Sequence, residues 1–199
     1  VCAGPIYKNA LPTAAHGQFP YKGGKRVDEL KQKVLSSTNS LQDLMKKIPG
    51  YEGYHNREAR READKIQRNH IAACLKKEKE RLMDLAGPLS RGRDLDAVTE
   101  MDRVTKIFDK ITDRIRHADY GYAGFFDAIK INEAELDKMY EFDAALLGNV
   151  SSIGEAVTAL ESTIDSGEGL TQRIKAIEKS VKELDKKFDE RENLLTEVK

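Results

Sequence analysis

A chain of 199 residues with 34% charged and 39% apolar side chains, no Trp and five Pro has the make-up of long solvated helices, and globular enzymes usually carry less charge. Its 34 basic and 34 acidic groups cancel, so the total predicts no nucleic-acid partner and no pull towards an anionic membrane. Two thiols, Cys2 and Cys74, make no CxxC and no disulfide framework, which suits a reducing, cytoplasmic setting, and no run approaches the ~18 apolar residues of a membrane span.

Residues 1–26 read as an extended arm. Its first 25 residues hold three prolines and four glycines, with Ile6, Tyr7, Leu11, Phe19 and Tyr21 in no period. Lys8, Lys22, Lys25 and Arg26 make the arm basic, the one segment suited to a membrane surface, although it lacks an amphipathic helical pattern.

A helical core is predicted over 27–131. In its first helix Leu30, Val34, Ser37, Leu41, Leu44 and Ile48 follow the spacing of an amphipathic seam, and Pro49-Gly50 end it. Asn56 suits the N-cap of a second helix running to Gly87-Pro88. The apolar positions there are sparse (Ala59, Ala63, Ile66, Ile71, Leu75, Leu82, Leu85), so packing by close approach of alanines is expected. Asp94 can cap a third helix with a faultless seam from Ala97 through Met101, Val104, Phe108, Ile111 and Ile115 to Ala118.

Over 132–199 the pattern predicts a long antiparallel coiled-coil hairpin. Leu136, Met139, Asp143, Leu146, Val150, Ile153, Val157, Leu160 and Ile164 form one seam, and Leu170, Ile174, Ile177, Val181, Leu184, Phe188, Arg191, Leu195 and Val198 form the other, separated by "DSGEG". If the chain reverses at Gly167, facing residues have numbers summing to 334. Every seam position then meets another, and the single charged member of each, Asp143 and Arg191, fall in one layer as a pair that fixes register.

Charge is unevenly spread. Residues 57–93 hold 11 bases and 6 acids, whereas 94–165 hold 16 acids and 7 bases. Such halves can attract within a chain or head to tail between subunits, although ordinary solvated faces explain them more simply.

Two joints interrupt the helices with a shared pattern, "GYEGYHN" at 50–56 and "GYAGFFD" at 121–127. Tyr51, Tyr54, Tyr120, Tyr122, Phe125 and Phe126 supply six of the chain's 13 aromatic residues. The preferred reading is an aromatic plug in which both joints stack at one end of a bundle. The other is a ligand or peptide pocket lined by these tyrosines with His55, Arg116 and His117.

Other chemistry finds little support. Of the four histidines only His55 follows a Glu by three residues, Glu52, and those two sit in the first joint and not on a continuous helix as a bundle metal centre wants; Cys74 sits beside Ala72 and Ala73 like a small hydrophobe, and there is no nucleophile elbow or phosphate loop. No metal, cofactor or catalytic residue is therefore assigned. In "REARREADKIQR" bases and acids alternate at helical spacing, which favours intrahelical pairs over a phosphate-binding stripe.

The segments "GYEGYHNREARREADK", "IRHADYGYAGFFDA" and "YEFDAALL" resemble those of a set of prokaryotic all-helical proteins without an established activity, which occur beside membrane scaffold proteins of the stomatin and flotillin type. The resemblance spans residues 49 to 160 and implies a partner-binding role near a membrane. The expectation is thus an all-α, five-helix protein, homo-oligomeric and peripheral at the membrane, acting as a structural or adaptor protein through coiled-coil self-association and a protein partner. The alternative is a ligand-binding or catalytic bundle with its site at the joints.

Overall fold

The computed structural model describes residues 39–92, 94–118 and 131–197. The chain divides into residues 1–34 and 35–199, and every described residue belongs to the second unit. The arm at 1–26, the start of the first predicted helix and the second aromatic joint lie outside the described residues.

Among the described residues the protein is all-helical. After a helical stretch at 39–47 come α1 (Arg57–Asp84), α2 (Ala86–Arg91), α3 (Leu95–Arg116), α4 (Glu133–Glu161) and α5 (Leu170–Glu197). Local chemistry sets these starts. The side-chain oxygens of Asn56 and Asp94 accept from the backbone N–H groups of Ala59 and Ala97, and Asn132 and Glu135 form a reciprocal capping box.

The second helix stops earlier than its sequence suggests. α1 ends at Asp84, and Gly87-Pro88 lie inside the separate short helix α2. Proline fits the first turn of a helix, where its missing N–H would have had no partner, and buried Leu89 anchors the turn to the core. At the hairpin tip, Gly167 and Gly169 take φ of +70° and +66°, the left-handed backbone that glycine adopts without strain.

The four long helices close a ring in the order α1, α3, α5, α4, with α1 opposite α5 and α3 opposite α4. Ion pairs give the directions. Arg68 reaches the end of α3 while Lys79 pairs with Asp109, so α1 and α3 are antiparallel. Arg103 pairs with Glu178 and Arg114 with Asp185, so α3 and α5 run parallel. The guanidinium of Arg114 also bonds Asp189 and Glu192 and lies 5.4 Å from the centroid of the Phe188 ring. Arg81 ties the end of α1 to Glu161 at 2.6 Å and Thr158 at 2.8 Å on α4.

α4 and α5 are the antiparallel hairpin, and they pack on α1 and α3 within one body. Their seam is consumed inside the chain: Leu146, Ile153, Val157, Leu160, Ile174, Ile177, Val181, Leu184, Phe188 and Leu195 are fully buried together with Val104, Phe108 and Ile115 of α3. Burying apolar surface at about 25 cal/mol per Å² is the main drive for this closure. The preceding stretch contributes Leu44 and Ile48 to the same core.

Candidate functional site

The first joint turns twice through positive φ, at Gly50 (+78°) and Gly53 (+87°). A Cβ on Gly53 would come within 3.0 Å of both the Leu41 side chain and the Tyr140 hydroxyl, so glycine is required by backbone and by space alike. The two turns aim Tyr51 and Tyr54 into the bundle, where they are 2% and 0% exposed. Their rings meet edge to face at 6.0 Å, and the Tyr54 ring also lies 5.5 Å from that of Tyr140 on α4. The backbone N–H of Tyr54 donates to the Tyr140 hydroxyl at 3.0 Å.

Beneath these rings lies a buried polar network. Asp143 of α4 accepts at one oxygen from the hydroxyls of Tyr54 (2.6 Å) and Tyr51 (3.2 Å), and at the other from Arg191 Nε (2.8 Å). Arg191 Nη2 donates to the Tyr54 hydroxyl at 3.1 Å and crosses the interior to Asp64 of α1 at 2.8 Å. Asp64 in turn accepts from Arg68 Nε at 2.8 Å, and Arg68 Nη1 donates to the carbonyls of Ile115 (3.3 Å) and Arg116 (2.7 Å). Those carbonyls end α3, where they have no partner within the helix and carry its partial negative charge. One chain of bonds therefore joins the first joint to all four long helices.

Burial governs the charges. It pushes the Tyr51 and Tyr54 phenols far above their ordinary range, reinforced by the carboxylate of Asp143, so both stay protonated as donors. Burial also raises the Asp143 carboxyl, while Arg191 and the Tyr54 hydroxyl pull it back. For Arg191, burial works against the charge but Asp143, Tyr54 and Asp64 outweigh it, and the guanidinium stays cationic. A phenol held this firmly does not act as a base, and the carboxylate that faces it is already engaged by three donors.

The structure thus brings together Tyr51, Tyr54, Asp143 and Arg191. His55 and the side chain of Arg116 are exposed. His117 is exposed too and donates from Nδ1 to the Asp113 carbonyl at 2.9 Å, capping α3. Tyr120, Tyr122, Phe125 and Phe126 lie outside the described residues. Cys74 is half-buried, with Sγ 3.6 Å from His70 Nε2, and burial raises its thiol, the setting of an inert cysteine. Among the described residues no three His, Cys, Asp or Glu side chains gather as metal ligands would.

Four members of the buried cluster escape the sequence reading: Asp64 and Arg68, with Arg60 and Gln67 beside them on α1. Continuing the apolar seam of Leu82, Leu75 and Ile71 backwards in steps of four and three reaches Gln67, Asp64 and Arg60. That periodicity was the available signal. Alanines do line part of this face, since Ala63 and Ala72 are buried, but its first turns are polar. Comparison of the chain with protein-family models, with curated proteins and with solved structures finds no match.

Proposed function

We propose that this is a structural or adaptor protein in which the buried network is a brace and the outer faces of the bundle carry the function, through self-association and a protein partner. The observation that carries the reading is the state of the chemically capable groups. Tyr51, Tyr54, Asp64, Asp143 and Arg191 are at most 2% exposed and bond one another, an arrangement that holds helices in register rather than one that meets a substrate. The hairpin seam is spent internally, so self-association uses the charged exterior rather than a coiled-coil seam. A cytoplasmic site of action at a membrane-associated assembly belongs to the same proposal and rests on the resemblance of residues 49–160. No helix of the described residues is long and apolar enough to cross a membrane.

One observation favours the alternative of a ligand-binding bundle. Gln67 is 0% exposed, and among the described residues neither polar atom of its amide has a partner, nor does Nη1 of Arg191. Buried amides are normally satisfied, and an unpaired one costs roughly 1–3 kcal/mol. Native mass spectrometry separates the readings. Peaks at whole multiples of the 22.4 kDa chain are expected. A fixed extra mass that disappears in Gln67→Leu would replace the brace with a binding site.

A further inference from the structure

α5 presents a basic ridge. Lys175, Lys179, Lys182 and Lys186 recur at steps of four, three and four, spanning about 16 Å at 1.5 Å per residue. With Arg103 of α3 they line an open groove between the two helices. Its carboxylates are Glu183 and Glu178, and the second is buried and neutralised by Arg103 and Lys182. The side chains of Lys175 and Lys179 are 56% and 79% exposed, and their nearest carboxylates stand 3.8 Å away, loose surface pairs of little worth. The lysine stems give the groove apolar walls under a cationic rim.

The complementary surface lies on α4. That helix carries seven acids against a single base, Lys138. Its outward stripe reads Glu141, Ala145, Gly148, Ser152 and Glu155, all exposed. Two carboxylates thus bracket three small residues over about 21 Å. A Cβ placed on Gly148 would meet nothing within 4 Å, so no described residue covers the middle of this face.

We infer that the α3/α5 groove receives the outward face of α4 from a second copy of this chain. Opposite charge aligns the lysine ridge with Glu141 and Glu155, and the small residues between them let the helices approach closely. α3 and α4 stand across the ring from each other, so the two surfaces look in different directions. The contact is therefore heterologous, and repetition extends a chain of subunits unless the rotation closes it. This inference rests on the self-association reading above and names the surface it uses.

The test is sedimentation velocity of the full chain across concentration at about 50 mM and about 0.5 M salt, where screening shortens from roughly 14 to 4 Å. Wild type should associate at low salt, with an apparent constant at least about tenfold weaker at high salt. Lys179→Glu/Lys186→Glu and Glu141→Lys/Glu155→Lys, which spare the cations around Glu178, should each lose association about tenfold or more while keeping wild-type helicity. Mixing the two variants should restore it, since each reversed face then meets its complement. Association unchanged in both variants would overturn this interface and leave self-association standing. A wild type monomeric throughout would overturn both. A monomer that instead cosediments with anionic phospholipid vesicles, and stops doing so when the lysines are reversed, would assign the ridge to lipid and also overturn the inference.

Discussion

Arg191→Ala is expected to destabilise the protein by about 3–5 kcal/mol, the usual result of removing one partner from a buried ion pair. Arg191 is fully buried, and its guanidinium serves Asp143, Tyr54 and Asp64 at once. Without it two carboxylates on α4 and α1 stay in the interior, short of a countercharge. Urea unfolding should show a lower midpoint at unchanged slope, and Arg191→Lys should recover little, because a point ammonium cannot span three acceptors as the planar fork does. A loss below about 1 kcal/mol would mean that the network adds little to the fold.

Alkaline pH should unfold the protein cooperatively. Tyr51 and Tyr54 ionise near pH 10 in the unfolded chain but are held protonated in the folded one. Their folded pKa values are raised, so the stabilisation is complete below pH 10 and lost as pH rises. Each phenol costs about 1.4 kcal/mol per pH unit beyond 10, or roughly 5.6 kcal/mol for the pair by pH 12. Tyrosinate absorbance followed with far-ultraviolet circular dichroism should show Tyr51 and Tyr54 ionising only as helicity falls. Ionisation of all tyrosines near pH 10 with helicity intact would contradict this environment.

Helices were legible where burial is apolar. The seams of α3, α4 and α5 announce themselves because hydrophobic side chains at steps of three and four have no other use on a charged helix, and Asn56 and Asp94 sit where caps must be. The meeting of Asp143 with Arg191 follows from the same periodicity once the reversal falls at Gly167. What sequence did not convey was the polar inner face of α1. Arg60, Asp64, Gln67 and Arg68 resemble their solvated neighbours Arg61, Glu62 and Lys65 in type, and only the helices packed over them decide which set is buried. The same ambiguity concealed that the hairpin lies against α1 and α3, since the outer rows of a seam look alike whether they meet water or another helix. Tyr51 and Tyr54 were visible as candidates, but their acceptor came from a helix some 90 residues away.

The double-mutant cycle of Tyr54→Phe and Asp143→Asn in urea unfolding tests most directly whether this network ties the joint to the hairpin. The two groups meet at 2.6 Å in the interior. A coupling of about 1–3 kcal/mol within a single transition is the predicted result. Losses that add to within about 0.5 kcal/mol would show that the joint and the hairpin are stabilised independently, and would contradict the role assigned to the network.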